Sequence, residues 1–181
     1  ATLVNTHANG DHCYGNQLVT GAEVIASAAS AAEMEQLPPS TLGMMTSLDL
    51  GDATNRYIAK AFGPFTFDGI EPPHPDRTFS GALSLEVAGQ PVELVEVGPA
   101  HTAGDVIVHL PEAATVFTGD ILFHNGTPLI WDGPVQNWLD ACDRILALGC
   151  AVIVPGHGPL ADAKTVRDTA DYLTFVRDEA T

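Results

Sequence analysis

The spacing of hydrophobic residues changes twice along the chain. Residues 1–5 and 19–25 form short apolar runs that are typical of β-strands. From 28 to 62, apolar residues recur at helical spacing, with Pro38-Pro39 ending a first helix over 28–37 and a break near Gly51-Asp52. Ser30 and Glu33 have the spacing of a capping box in that first helix. After residue 65, short extended segments return, separated by turns that contain Gly or Pro.

The second half of the chain combines strands with two helices. Residues 136–148 form an amphipathic helix with Trp138, Ala141 and Ile145 on one face, and Val166 and Leu173 mark a last helix. The predicted strands of this half cover residues 78–79, 83–87, 92–97, 106–110, 115–118 and 151–154. This pattern predicts an α/β protein in which residues 1–181 form one domain, with a helical insertion at about 28–63.

Charge and the length of apolar runs argue against two classes of partner, and cysteine content indicates a cellular compartment. The chain has 23 Asp and Glu against 7 Lys and Arg, a net charge of −16, which repels a phosphate backbone and argues against nucleic acid. No apolar run reaches the ~18 residues of a membrane span, so we expect no membrane association. Cys13, Cys142 and Cys150 lack disulfide or CxxC spacing, which favours the cytoplasm. Cys13 is expected to be a small buried hydrophobe.

The first group of chemically capable residues follows the opening strand directly. His7, Asp11 and His12 lie within six residues of what we expect to be an extended loop, and Gly10 allows a sharp turn there. Two imidazoles and a carboxylate so close together are costly to bury without a cation. The segment therefore predicts a metal site.

Three later segments share one arrangement: an apolar strand, a turn and then a residue that can bind metal. They end at His101, Asp120 and His157. Residues at strand ends converge in space, which is how open α/β sheets build their sites. We therefore expect these side chains to meet those of the first group.

Taken together, these motifs resemble those of the metallo-β-lactamase superfamily. In chain order they are Thr6-His7-x-x-x-Asp11-His12-x-x-Gly15-Asn16, Pro99-Ala100-His101-Thr102, Phe117-Thr118-Gly119-Asp120 and Pro155-Gly156-His157-Gly158-Pro159. The resemblance implies an αββα sandwich with a two-metal site between its sheets. It also implies that His7, Asn9 and His101 hold one ion, that Asp11, His12 and His157 hold the other, and that Asp120 bridges both.

The sequence departs from the family pattern in two ways. Asn9 stands where the family has a histidine, and a neutral carboxamide is a poorer zinc ligand than imidazole, so we expect one tight site and one weak site. The family also has several strands ahead of its first motif, so the resemblance implies an N-terminally truncated sandwich. Sheets left uncovered in this way recruit partners, and a homodimer is therefore expected.

The residues and the resemblance together predict a zinc-dependent hydrolase of a small ester, lactone, thioester or amide, cleaved by metal-activated water. Asp11 and Asp120 are the expected catalytic carboxylates. His124 and Trp131 are candidates for the substrate pocket.

Two alternatives stay open from the sequence. His7, His101 and Asp120 form a 2-His-1-carboxylate set that suits a single Fe²⁺, as in the family's persulfide dioxygenases. The substitution at Asn9 also allows a degenerate, non-catalytic protein. Metal analysis and a substrate screen would separate these alternatives from the hydrolase.

Overall fold

Two β-sheets face each other in the computed structural model, which describes residues 1–180. The strands are β1 (Thr2–Val4), β2 (Glu23–Ser27), β3 (Arg77–Phe79), β4 (Ala82–Val87), β5 (Gln90–Glu96), β6 (Val106–Leu110), β7 (Thr115–Phe117) and β8 (Val152–Val154). The helices are α1 (Gly10–Cys13), α2 (Ala28–Gln36), α3 (Pro39–Met45), α4 (Asp52–Ala61), α5 (Val135–Ala147) and α6 (Ala163–Glu179).

The topology brings several strand ends to one edge. The first sheet is parallel, in the order β1-β2-β3, and the second has the order β4-β5-β6-β7-β8. In the second sheet β4 to β7 are antiparallel neighbours, whereas β8 runs parallel to β7. Strands β5, β7 and β8 therefore point in the same direction, and their carboxyl ends lie at the same edge of the sheet.

Apolar side chains fill the space between the layers. Ile25 of the first sheet packs against Val92, Leu94 and Val106 of the second. The opposite face of the second sheet packs against α5 and α6; this cluster includes Ile107, Val116, Trp138, Ile145 and Leu173. On the outer side of the first sheet, Met34 of α2 packs with Ala26 and Cys13. The layers thus follow the order helix, sheet, sheet, helix. This packing brings the strand ends at one edge of both sheets close together.

The structure corrects three local predictions. The second strand begins at Glu23 rather than at residue 19. Helix α2 is capped by Ser27, whose side chain accepts from the Ser30 amide, so the predicted capping box of Ser30 and Glu33 is wrong. Asp11 does not lie in an extended loop, because residues 10–13 form one helical turn, α1. Cys13 is buried as expected, with 1% of its surface exposed.

Part of the sheet interface is open to solvent. Phe117 pairs with Val108 and Val154 on the inner side of the second sheet, and it is 40% exposed. The first sheet is shorter, and β1 forms one of its edges. Within the described residues, no helix combines the length and the apolar character needed to cross a bilayer.

Candidate metal centre

The predicted ligand residues come from four segments that meet at the rims of the two sheets. His7, Asp11 and His12 follow β1, and His101 lies in the loop after β5. Asp120 occupies a 3-10 turn directly after β7, and His157 follows β8. Two backbone hydrogen bonds join these segments, from Val106 N to Thr6 O (2.8 Å) and from Gly156 N to Gly119 O (2.8 Å).

Asp120 lies at the centre of the cluster. Its carboxylate oxygens are 3.7 Å from His7 Nε2, 3.2 Å from His12 Nε2, 3.4 Å from His101 Nε2 and 3.2 Å from His157 Nε2. Asp11 Oδ2 lies 3.3 Å from both His12 Nε2 and His157 Nε2. Two sets of three residues bring one ligand atom each within 4.8 Å: His7 with His12 and Asp120, and Asp11 with His12 and His157.

Two buried polar atoms at this centre make no hydrogen bond within residues 1–180. They are His7 Nε2 and Asp120 Oδ1, although His12 Nε2 approaches the latter to 3.2 Å. Buried polar groups without partners are costly. Imidazole nitrogens and carboxylate oxygens that converge in this way are the donors preferred by zinc and related divalent ions. The residues of this centre therefore fit a metal ion.

Burial and nearby carboxylates shift the pKa values of three imidazoles, those of His7, His12 and His101, in different directions. Burial lowers the pKa of His7 to about 3 despite Asp120. Burial also lowers the pKa of His101. For His12, burial is outweighed by Asp11 and Asp120, which raise its pKa to about 9. His7 and His101 are therefore neutral, as a metal-binding imidazole must be, whereas His12 would have to lose its proton to bind a metal ion.

Hydrogen bonds fix the orientation of the two buried imidazoles. His7 Nδ1 is 3.0 Å from Thr6 Oγ1, and His101 Nδ1 donates to Leu129 O at 2.6 Å. The lone pair of a neutral His101 is therefore on Nε2, which accepts a hydrogen bond from Asn9 Nδ2 at 3.0 Å. Asn9 thus occupies the position on His101 that a metal ion would use.

The centre has a closed side and an open side. His7 and His101 are fully buried, and Asp120 is 3% exposed. By contrast, Asp11 is 58% and His157 is 45% exposed. A substrate would therefore reach the centre from the side of Asp11 and His157.

The loop that carries His101 is held by groups that the sequence reasoning missed. Asp105 accepts from the amide and the hydroxyl of Thr102, and burial raises its pKa to about 7. From α2 and its cap, Ser27 and Ser30 donate to Gly104 O, and Glu33 accepts from the Ala103 amide. Serine and glutamate at the start of a helix suggested only a cap, because their partners lie about 70 residues away.

His124 lies beside the centre, and its ring contacts the segment that precedes α6. His124 Nδ1 is 3.0 Å from the carbonyl oxygens of Pro159 and Leu160. The preceding residue, Phe123, faces the metal ligands instead: its ring stacks on His157 at 5.1 Å and meets His101 edge-on at 5.6 Å. Phe123 is thus a site residue that sequence analysis missed, whereas the pocket role of His124 stays a prediction.

A family comparison agrees with this arrangement. The model of the metallo-beta-lactamase superfamily matches residues 2–157. The chain belongs to this superfamily. The predicted metallo-β-lactamase fold is confirmed by solved structures: a metallo-beta-lactamase from Pontibacter korlensis has a TM-score of 0.67 at 22% identity, covering 96% of this chain and 69% of that one. The DIM-1 metallo-beta-lactamase has a TM-score of 0.67 at 16% identity, covering 97% and 69%.

Curated relatives of this superfamily member carry the name hydroxyacylglutathione hydrolase. The protein from Synechococcus sp. is 26% identical over 153 residues, which are 81% of this chain and 45% of the relative. The protein from Rhizobium meliloti is 36% identical over 73 residues, 40% of this chain and 28% of the relative. The chain thus spans less than half the length of these relatives.

Proposed function

We propose that this superfamily member is a zinc-dependent hydrolase of a small acyl compound, with a thioester as the favoured substrate among esters, lactones, thioesters and amides. The observation that carries the proposal is the position of Asp120, which lies within 3.7 Å of four imidazole nitrogens. The relatives' name supports the choice of a thioester, since a hydroxyacylglutathione is one.

We assign the tighter metal site to Asp11, His12, Asp120 and His157. His12 Nε2 and His157 Nε2 each lie 3.2–3.3 Å from a carboxylate oxygen of Asp11 and of Asp120. His7, Asn9 and His101 form the weaker site, because the Asn9 amide must first release His101 Nε2. Asp120 is the carboxylate common to both sites.

The chemistry of this site divides between the metal and the protein. A divalent ion, when bound, supplies a Lewis acid and lowers the pKa of water toward about 7. Asp11 is at the open side, where its carboxylate would accept a hydrogen bond from the attacking water and orient it. Asp120 holds the imidazoles in place from the buried side. Phe123 packs on His157 and His101, which limits the movement of both rings.

A substrate screen with metal analysis tests this proposal. The protein is loaded separately with Zn²⁺ and Fe²⁺ and assayed against matched esters, lactones, thioesters and amides. We expect hydrolysis with Zn²⁺, fastest for thioesters. Oxygen uptake with Fe²⁺ and a persulfide would support the dioxygenase instead. A protein that binds neither ion and cleaves nothing would support the degenerate, non-catalytic alternative.

Metal occupancy provides a prediction that is independent of activity. Titration against a chromophoric chelator is expected to resolve two zinc affinities, and Asn9→His is expected to tighten the weaker by more than about tenfold, because imidazole is the better zinc donor. Asn9→Ala is the control: it removes the amide without adding a donor, so it leaves two unequal sites. Two equal, tight sites in the unaltered protein would contradict the assignment.

The expected homodimer is a further prediction. The exposed inner-face residue Phe117 and the edge strand β1 offer an apolar surface and an open set of backbone groups. Burying several hundred Å² of such surface is worth on the order of 10 kcal/mol before association costs. Light scattering at micromolar concentration is expected to give twice the chain mass of 19.0 kDa. A well-folded 19.0 kDa particle would show that no second copy is needed.

Cysteine content bears on the cellular location of the protein, and net charge bears on its partner. A cytoplasmic location stays a prediction, with which three free cysteines are compatible. The net charge of −16 supports a small molecule rather than nucleic acid as the partner.

A further inference from the structure

Three consecutive large apolar residues are exposed in a segment without helix or strand. Leu129 is 44% exposed, Ile130 is 40% exposed and Trp131 is 61% exposed. Single exposed hydrophobic residues are common on protein surfaces, whereas contiguous ones mark binding sites. We refer to Leu129, Ile130 and Trp131 as the apolar segment.

Hydrogen bonds hold the backbone of the apolar segment against His101, one of the candidate ligands. The His101 ring donates from Nδ1 to Leu129 O at 2.6 Å. The amides of Trp131 and Asp132 donate to His101 O at 3.0 and 3.2 Å. These three hydrogen bonds place both ends of the segment against one candidate metal ligand. Its exposed apolar side chains therefore belong to a part of the surface next to His101.

We propose that the apolar segment binds the acyl group of the substrate, so that the protein prefers bulky, uncharged acyl groups over acetyl. This inference rests on the proposed hydrolase function and narrows its substrate class. Asp132 follows the segment directly and Asp11 is exposed at the centre, so both would repel an acyl group that carries a carboxylate. An apolar acyl chain would cover surface that is otherwise in contact with water.

The size of the expected preference follows from the hydrophobic effect. Each buried methylene is worth about fourfold in binding, and complete burial of a large side chain about 10- to 100-fold. Acyl chains from two to eight carbons should therefore show a rising kcat/KM until the segment is covered. The preference should depend on Trp131, which exposes the most surface.

A thioester series measures this dependence directly. Acetyl, butanoyl, hexanoyl and octanoyl thioesters of N-acetylcysteamine are compared on the zinc-loaded protein and on Trp131→Ala. We expect kcat/KM to rise with acyl length in the unaltered protein. In Trp131→Ala, octanoyl hydrolysis should fall about 10- to 100-fold and acetyl hydrolysis by less than about threefold, with unchanged zinc content. Phe175→Ala is the matched control, since Phe175 of α6 is 63% exposed and should leave the series unchanged.

Tryptophan fluorescence gives a readout that does not need turnover. The chain has two tryptophans, of which Trp138 is fully buried and Trp131 is exposed, so an exposed-tryptophan signal comes from Trp131. The non-hydrolysable octyl thioether of N-acetylcysteamine should shift this emission to shorter wavelength, and the methyl thioether should not. Trp131→Phe should remove the shift.

The outcomes separate this inference from the proposed function. Hydrolysis that is equally fast for every acyl length would overturn the inference and leave the hydrolase in place. A protein that cleaves no thioester would contradict the proposed function. If the octyl thioether also failed to shift the Trp131 emission, the inference would be overturned as well. If Trp131→Ala changed the molecular mass and not the acyl dependence, the segment would be an interface between subunits, which also overturns it.

Discussion

Replacement of Asp120 by alanine is expected to lower thioester hydrolysis by at least about 10³-fold, because several contributions are lost together. The carboxylate lies within 3.7 Å of all four imidazoles of the centre and is 3% exposed. Alanine would leave the imidazoles without their shared anion, and zinc binding should weaken at both sites. Steady-state kinetics and zinc analysis of the purified variant measure these two effects.

Two companion variants test the role of the Asp120 charge and the assignment of the ligands. Asp120→Asn keeps the shape and removes the charge, so zinc binding should weaken although the thermal unfolding temperature is kept. His124→Ala should alter the rate or substrate preference without emptying the site, because its Nδ1 faces the carbonyls of Pro159 and Leu160. Loss of zinc in His124→Ala and not in Asp120→Ala would mean that the ligands are assigned wrongly.

The position of the centre could be predicted from sequence because strand ends carry it. Apolar runs before His101, Asp120 and His157 identified β5, β7 and β8, and the pairing pattern brings their carboxyl ends to one edge. Successive residues of β7 face opposite sides of the sheet in the structure. Val116 packs on the helices and Phe117 points to the other side. Short apolar runs, each followed by a turn, were sufficient to predict the strands of this part of the fold.

Other features depend on contacts between distant residues and could not be read from local patterns. Ser30 is spaced as a helix cap, yet its hydroxyl donates to Gly104 O, 74 residues away. The carbonyl of Leu129 orients the His101 ring, although no side-chain type signals such a role. The sequence predicted that Asn9 is a weak ligand. That role stays a prediction, and the structure adds a contact that the sequence could not show, from the Asn9 amide to His101 Nε2.

In the helical segment, too, the local structure could be predicted from sequence and the tertiary contacts could not. Helices α2, α3 and α4 lie within the predicted insertion of residues 28–63, and they are separate helices because Pro38-Pro39 and Gly51 interrupt the helical pattern. Their relation to the site depends on Glu33, which accepts from the Ala103 amide in the His101 loop. That contact connects a candidate specificity segment to a candidate ligand, and only the tertiary structure reveals it.

Gly156→Ala is expected to disrupt the centre without removing any ligand. A methyl group at this position would overlap Asp120 Oδ1 and come within 2.8 Å of Gly119 C and 2.9 Å of Asp120 N. All three atoms belong to the backbone or to a buried carboxylate, which cannot move aside without a large energetic cost. The carboxylate should therefore shift away from the imidazoles. Overpacking of this kind costs about 1–3 kcal/mol of stability, and we expect zinc affinity and kcat/KM to fall by at least about 10²-fold.

Gly15→Ala is the matched control for this substitution. Gly15 also lies in a predicted ligand motif, but a methyl group there meets nothing within 4 Å, and its backbone φ of −81° suits alanine. Its unfolding free energy should stay within about 0.5 kcal/mol of the unaltered protein, with normal zinc content. Chelator titration and thermal unfolding of both variants make the comparison. If Gly156→Ala bound zinc as tightly as Gly15→Ala, the close approach of the His157 loop to Asp120 would not hold the carboxylate in place.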